Sequence, residues 1–330
     1  MLNKIILDKY SELLARVDIE IDGSRPWDIT VYNPDLYKSI LFNGSLGFGE
    51  SYMKGWFDCD RLDLFFEKIL SSGIYNEIGG APLFFGKMKS KFRNLQSISR
   101  AFQVAERHYD IGNDLFSLML DKTMMYTCGY WTKDVSTLEE SQLAKLDLVA
   151  KKLNLKAGMK ILDIGCGWGG AAKHFANNYG VTVVGITISK EQIEYAKQNS
   201  DNMDVEFRLM DYRDLDEKFD AIYSIGMFEA VGYKNYEEFF EVVRSCLKEE
   251  GAFLLHTIGG NESTTTSDPW VEKYIFPNGM MPSAEQIAKA SEGIFIFDDW
   301  HNIGPHYDKT SMSWYDNFVN NYEKLKDKYD

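Results

Sequence analysis

Long apolar runs are missing from this sequence: its uninterrupted apolar stretches, residues 253–255 among them, fall far short of the roughly 18 residues that a bilayer-crossing helix needs. Integral membrane spans are therefore excluded. Cysteine is scarce, and Cys59, Cys128, Cys166 and Cys246 lie far apart with no Cys-x-x-Cys pair, so neither a disulfide framework nor a zinc site is expected. A secretion signal is absent too. Residues 1–21 mix Lys4, Asp8, Glu12 and Asp18 among their apolar positions and lack both a basic head and an unbroken apolar centre, which predicts a cytoplasmic protein. Positive charge is short overall: 36 basic against 50 acidic residues leave a net charge of −14, which repels nucleic acid.

One stretch reverses that balance. Between residues 86 and 107 stand Lys87, Lys89, Lys91, Arg93, Arg100 and Arg107 against the single acid Glu106, interleaved with Met88, Phe92, Leu95, Ile98 and Phe102. The pattern fits a solvated linker face or an anionic membrane surface; the interleaved apolar residues suit a membrane better than a phosphate backbone.

What is present is enough apolar chain, 45% of 330 residues, for about two domains. Residues 1–85 alternate short helical patterns with Gly-rich turns and read as a small, mainly helical N-terminal domain, followed by the basic linker 86–107. From residue 108 to 330 the texture changes. After a segment 108–155, the core 156–330 carries β-branched runs at 160–164, 181–186, 204–209, 219–225 and 252–258, separated by helical stretches: an α/β doubly wound domain with a mainly parallel sheet. Ser189 and Gln192 have capping-box spacing and open a helix through about residue 199; a last helix is expected from 311 to about 328.

The run Ile161-Leu162-Asp163-Ile164-Gly165-Cys166-Gly167-Trp168-Gly169-Gly170 is a strand entering a glycine loop that opens a helix, where backbone amides can approach a ligand closely. The loop also satisfies the dinucleotide fingerprint, but the acid expected about 20 residues later for a nicotinamide cofactor's ribose is replaced by Val184-Gly185-Ile186-Thr187. Asp163, two residues before the first glycine, instead resembles the first motif of class I S-adenosylmethionine-dependent methyltransferases.

Further stretches carry a more specific resemblance. His108-Tyr109-Asp110-Ile111-Gly112-Asn113, Met125-Tyr126-Thr127-Cys128-Gly129-Tyr130-Trp131, Ile225-Gly226-Met227-Phe228-Glu229, Leu254-Leu255-His256-Thr257-Ile258 and Tyr274-Ile275-Phe276-Pro277-Asn278-Gly279 resemble the cyclopropane-fatty-acyl-phospholipid synthases and the mycolic acid cyclopropane synthases. The resemblance implies transfer of a one-carbon unit from S-adenosylmethionine to a cis double bond of an unsaturated acyl chain in a membrane phospholipid, with a proton then lost to close the ring. It also implies that a bound bicarbonate ion takes that proton, cradled by Cys128, Glu229, His256, the backbone amide of Ile258, and Tyr307.

For the cofactor, the resemblance places Gly165, Gly167 and Gly169 at the methionine and ribose, and Thr187 and Gln192 where the ribose carboxylate usually stands. Asp211 and Tyr212 would face the adenine. Tyr109, Tyr126 and Thr127 would close over the methionine end as a lid from 108–155. Asp163 accepts from the loop amides or the ammonium group, and Gln192 has a rival role as the partner of Ser189. The chemistry needs a dry pocket, which 21 Phe, 19 Tyr and 7 Trp can wall.

Peripheral membrane contact through the N-terminal domain is expected, and a homodimer is compatible with the pattern. Family members continue beyond the point matching Asp330 through a helical segment and the last strands, so the resemblance implies that the C-terminal strands are missing here, leaving a thinner pocket wall and either reduced activity or dependence on a separate C-terminal polypeptide. Two rivals keep the fold: a methyltransferase acting on a nitrogen or oxygen nucleophile, and a catalytically impaired lipid-binding relative.

Overall fold

The computed structural model describes residues 2–78 and 112–329; the basic linker 86–107 and Tyr109 lie outside the described residues. The chain divides into two compact units, and Thr265–Pro277, which the sequence pattern leaves in the sheet domain, groups with the N-terminal residues.

In the N-terminal unit, the helices Leu2–Ala15, Asp35–Met53 and Leu62–Ser71 enclose a core that includes Leu13, Leu14, Ile19, Leu36, Phe65 and Ile69. Strands β1 (Thr30–Val31) and β2 (Phe57–Asp58) form a minimal antiparallel pair beside them. The long helix breaks at Gly44, whose φ of 57° and ψ of −131° suit a residue without a Cβ. The short helix Pro269–Tyr274 is tied to it: Lys273 and the Tyr274 hydroxyl both reach Glu50, and the Trp270 ring fills the space beside Gly49. This unit holds an apolar pocket of about 930 Å³ including its mouth, lined by Leu14, Leu36, Ile40, Phe48, Phe66 and Ile69 among others.

The second unit is built on five strands, β3 (Lys160–Ile164), β4 (Thr182–Thr187), β5 (Val205–Leu209), β6 (Phe219–Ile225) and β7 (Leu247–His256), all parallel in the order β5-β4-β3-β6-β7. Both faces are covered, so the inner strands read as continuous apolar runs rather than alternating ones. Ile161, Val183, Ala221 and Tyr223 pack with the helices Leu138–Lys152, Gly170–Tyr179 and Lys190–Gln198, while Leu162, Val184 and Ile222 pack with the helix Tyr236–Cys246.

The strands at 160–164 and 219–225 fall where the sequence puts them. β7 begins five residues earlier than expected, at Leu247, because Lys248, Glu249 and Glu250 are exposed on an edge strand and show no β-like pattern; a register irregularity opposite Phe219 and Ala221 accompanies them. Among the described residues no strand pairs with the outer edge of β7. The last long helix, Tyr307–Asn321, starts four residues early, launched by a tight turn, Gly304–His306, with Pro305 in its first positions.

Candidate functional site

The carboxyl ends of β3, β4, β6 and β7 form one edge of the sheet, where open α/β folds place ligands. At the end of β3 the chain turns through Gly165 (φ 84°), Gly167 (φ 53°) and Gly169 (φ 79°) into the helix Gly170–Tyr179. A Cβ on Gly165 would stand 2.5 Å from the Met227 Cβ. The amides of Gly165 and Cys166 both donate to Ile186 O at 2.9 Å, pinning the loop to β4 rather than to Asp163. Asp163 is buried, with Oδ2 unpartnered; desolvation pushes its carboxyl up to about 7, against a weaker lowering pull from the Tyr223 hydroxyl, although the two lack a hydrogen bond of ordinary geometry.

Thr187 and Gln192 are brought together as expected of neighbours in one site. Thr187 Oγ1 donates to Gln192 Oε1 at 3.1 Å and accepts from Ser189 N at 3.2 Å. Ser189 caps the following helix by accepting from Gln192 N, but the Gln192 side chain stays with Thr187, and its amide faces the Gly167 turn. Asp211 commits both carboxylate oxygens to Arg213, and Tyr212 is buried edge-on against Phe239.

The second cluster gathers at β6 and β7. Glu229 stands in the turn Phe228–Ala230 after β6, and His256 is the last residue of β7; Gly226 N donates to His256 O at 2.9 Å, locking the two strand ends together. Glu229 Oε1 accepts from the Ile258 amide at 2.7 Å, while Oε2 is buried without a partner, as is Nδ1 of His256. Desolvation raises the Glu229 carboxyl, against the lowering hydrogen bond from the Ile258 amide, and lowers the His256 imidazole to about 3, the latter with help from Lys145. Tyr307 faces the same space. Its phenol is raised by burial and then by Glu229 and Cys128. The Cys128 thiol turns away, 3.4 Å from Gly129 O and 3.6 Å from Ile303 O, and burial raises it, so it is present as a thiol.

Aromatic rings connect the two clusters: Trp168 of the glycine loop touches Phe116 (4.9 Å between centroids), which touches Tyr126 (5.4 Å), then Trp314 (5.1 Å), then Tyr307 (6.3 Å). Tyr307, Thr310 and Trp314 share one face of their helix by spacing. Thr310 Oγ1 accepts from Gly129 N at 3.1 Å and from Trp131 Nε1 at 2.9 Å, so this helix fixes the 126–131 segment. Sequence reasoning passed over Thr310, Gln142 and Lys145. Gln142 Nε2 donates to Thr127 O at 2.8 Å and Lys145 Nζ to Thr127 Oγ1 at 2.6 Å. The signal was available, since both fall on the stripe with Leu138, Leu146 and Val149, where a charged residue is out of place. Among the described residues no cluster could hold a metal ion.

Residues 96–330 match the family model described as mycolic acid cyclopropane synthetase. The cyclopropane-fatty-acyl-phospholipid synthase of Escherichia coli (strain K12) is 52% identical over 329 residues, which cover 97% of this chain and 84% of that one. Among solved structures, the cyclopropane synthase MmaA2 from Mycobacterium tuberculosis superposes with a TM-score of 0.64 at 33% identity, covering 69% of this chain and 86% of its own. The mycolic acid cyclopropane synthase CmaA1, complexed with SAH and CTAB, gives 0.63 at 34% identity, covering 68% and 85%. With the glycine turn, the strand-end cluster and these likenesses together, the chain belongs to the cyclopropane synthase family, on a class I S-adenosylmethionine-dependent methyltransferase fold.

Proposed function

We propose that this protein converts a cis double bond of an unsaturated acyl chain, carried by a membrane phospholipid, into a cyclopropane ring. The observation that carries the reading is the pair of sealed, unpartnered atoms Glu229 Oε2 and His256 Nδ1, set beside the Ile258 amide and the Tyr307 hydroxyl at the end of an aromatic wall that starts at the glycine loop. Buried polar atoms without partners are rare, and two at the ends of the paired strands β6 and β7 fit a small ligand that both donates and accepts, as bicarbonate does. When bound, S-adenosylmethionine supplies an electrophilic methyl carbon and bicarbonate a base for the proton released on ring closure.

The chain's own residues do the rest. Glu229 keeps one oxygen on the Ile258 amide and offers the other to a hydroxyl; neutral His256 and the Tyr307 hydroxyl, both resistant to ionisation, direct hydrogen bonds at an anion. Phe116, Tyr126, Trp168 and Trp314 exclude water from the cation that methyl addition leaves on the acyl chain, and their ring faces stabilise it. The Gly165–Gly169 turn, Thr187 and Gln192 hold the cofactor, with unpartnered Asp163 Oδ2 available to a donor on it.

Delivery of the lipid falls to the N-terminal unit, whose residues up to Asn94 precede the mycolic family model, whereas the match to the phospholipid synthase covers 97% of this chain and so most of them. Its apolar pocket and its exposed Leu41, Phe42, Phe66 and Leu70 suit a bilayer surface, and the charges of 86–107 add attraction to anionic headgroups. The protein would then work as a peripheral enzyme; no described helix is long and apolar enough to cross a membrane.

The test is mass analysis of vesicles of unsaturated phospholipid incubated with protein and S-adenosylmethionine. The expected product gains one CH2 per converted chain, and Glu229→Gln and His256→Ala each lower turnover about a hundredfold or more while retaining cofactor binding. Full turnover in both variants would sink the cradle; a methylated product without the ring would favour a nitrogen or oxygen acceptor.

A further inference from the structure

Lys145 is a buried lysine that the chemistry above leaves without a task, and burial lowers its ammonium to about 7. Its side chain is 1% exposed, and Nζ donates to two neutral acceptors, Thr127 Oγ1 at 2.6 Å and Gln142 Oε1 at 2.5 Å. Among the described residues no carboxylate forms an ion pair with it. Asp121, the acid that acts on it most, spends its carboxylate on Thr123 N, Thr123 Oγ1 and Met125 N. Two acceptors satisfy a neutral amine; the ammonium form has a third N–H and a charge that no carboxylate among the described residues pairs with, so a nearby anion would favour the protonated form.

The surroundings say what would balance it. Thr127 precedes Cys128, which lies near enough to the Tyr307 phenol to act on it. The Thr127 methyl packs so closely on Gly226 that a Cβ there would stand 2.4 Å away, and Gly226 N is bonded to His256 O. Lys145 in its charged form accordingly acts on both Cys128 and His256, and Nδ1 of His256 is, like Glu229 Oε2, without a partner. That site otherwise offers an anion a carboxyl and a neutral imidazole, neither of which carries a compensating charge.

We propose that Lys145 supplies the countercharge that lets the site formed by Glu229, His256 and Tyr307 retain an anion, acting as a positioning residue and not on the reacting atoms. The inference rests on the bicarbonate reading and deepens it. It separates two jobs of one side chain: the hydrogen bond that steadies Thr127, and the charge that attracts the anion.

Full-length Lys145→Met, Lys145→Gln and Lys145→Arg proteins, each checked for cofactor-product binding by calorimetry, are assayed on phospholipid vesicles in carbon-dioxide-stripped buffer with increasing bicarbonate. Loss of the charge in Lys145→Met and Lys145→Gln is expected to raise the half-saturating bicarbonate concentration about tenfold or more, with a far smaller fall in turnover at saturation, and Lys145→Arg to recover most of the affinity. Glutamine keeps a donor for Thr127, so it decides the matter even if the methionine variant does not fold. A Lys145→Gln protein with the wild-type bicarbonate dependence would overturn the countercharge role and leave only the hydrogen bond. Wild-type turnover that ignores bicarbonate altogether would overturn the bicarbonate reading itself, and the countercharge with it.

Discussion

At the scale of single residues, the site seals its ionisable groups from water, which shifts each toward its uncharged form. His256 shows the consequence for stability. In the unfolded chain its imidazole titrates near 6.5, whereas burial, aided by the Lys145 charge, lowers it to about 3 in the fold. Between those values the unfolded chain binds a proton that the folded one refuses, so stability is undiminished above 6.5 and falls as pH drops from there toward 3, by up to about 1.4 kcal/mol per pH unit. His256→Asn removes that proton, and urea midpoints measured from pH 6.5 to 4 should fall less steeply in the variant, by about one proton's worth. Parallel curves would mean that the imidazole remains hydrated in the fold. The same sealing explains what the sequence could and could not disclose. The place of Glu229 and His256 at strand ends was legible because both follow apolar strands, whose ligand edge pattern alone locates. The unpartnered state of Oε2 and Nδ1 was not, since it depends on β6 and β7 meeting through Gly226 and on a helix some fifty positions further along.

Among elements, the glycine turn after β3 carries the most constraint. Gly165 is demanding for two reasons: its φ of 84° disfavours any side chain, and Met227 occupies the space a Cβ would take. Gly158 has a similar φ of 86° but open space around it. Comparing the alanine variants separates backbone strain from crowding. Gly158→Ala is expected to cost about 1 kcal/mol, and Gly165→Ala 1 kcal/mol or more beyond that, with weakened binding of cofactor product because Met227 or the loop must shift. Equal thermal unfolding losses, with binding intact in both, would show that Met227 yields freely. The inner strands were visible in the sequence as β-branched runs because they are buried on both faces. The edge strand β7 was only half visible, since Lys248, Glu249 and Glu250 point to solvent and resemble a loop. The role of the helix Tyr307–Asn321 was hidden further, because Thr310 acquires its meaning from Gly129 and Trp131, which lie far back in the chain.

For the whole molecule, a chain with net charge −14 has to reach an anionic bilayer, and two different forces are available for that under the proposed reading. One is electrostatic, from the bases of 86–107, and acts over a Debye length of about 8 Å at physiological salt and only about 3 Å at 1 M. The other is apolar, from residues such as Phe42 and Leu70 of the N-terminal unit, which are 67% and 61% exposed, and it is not screened. The two should therefore part company as salt rises. Neutralising Lys87, Lys89, Lys91 and Arg93 is expected to weaken binding to anionic vesicles strongly at low salt and hardly at all near 1 M. Phe42→Ser combined with Leu70→Ser removes apolar area worth about 1 kcal/mol per residue even when only partly buried in lipid, and should weaken binding about tenfold or more at both salt concentrations. Because both residues are already in water, thermal stability and cofactor binding should be nearly unaffected, which distinguishes lost docking from lost folding. If the double serine variant binds vesicles as the wild type does at 1 M salt, the N-terminal unit does not enter the bilayer, and its apolar pocket must serve something other than lipid delivery.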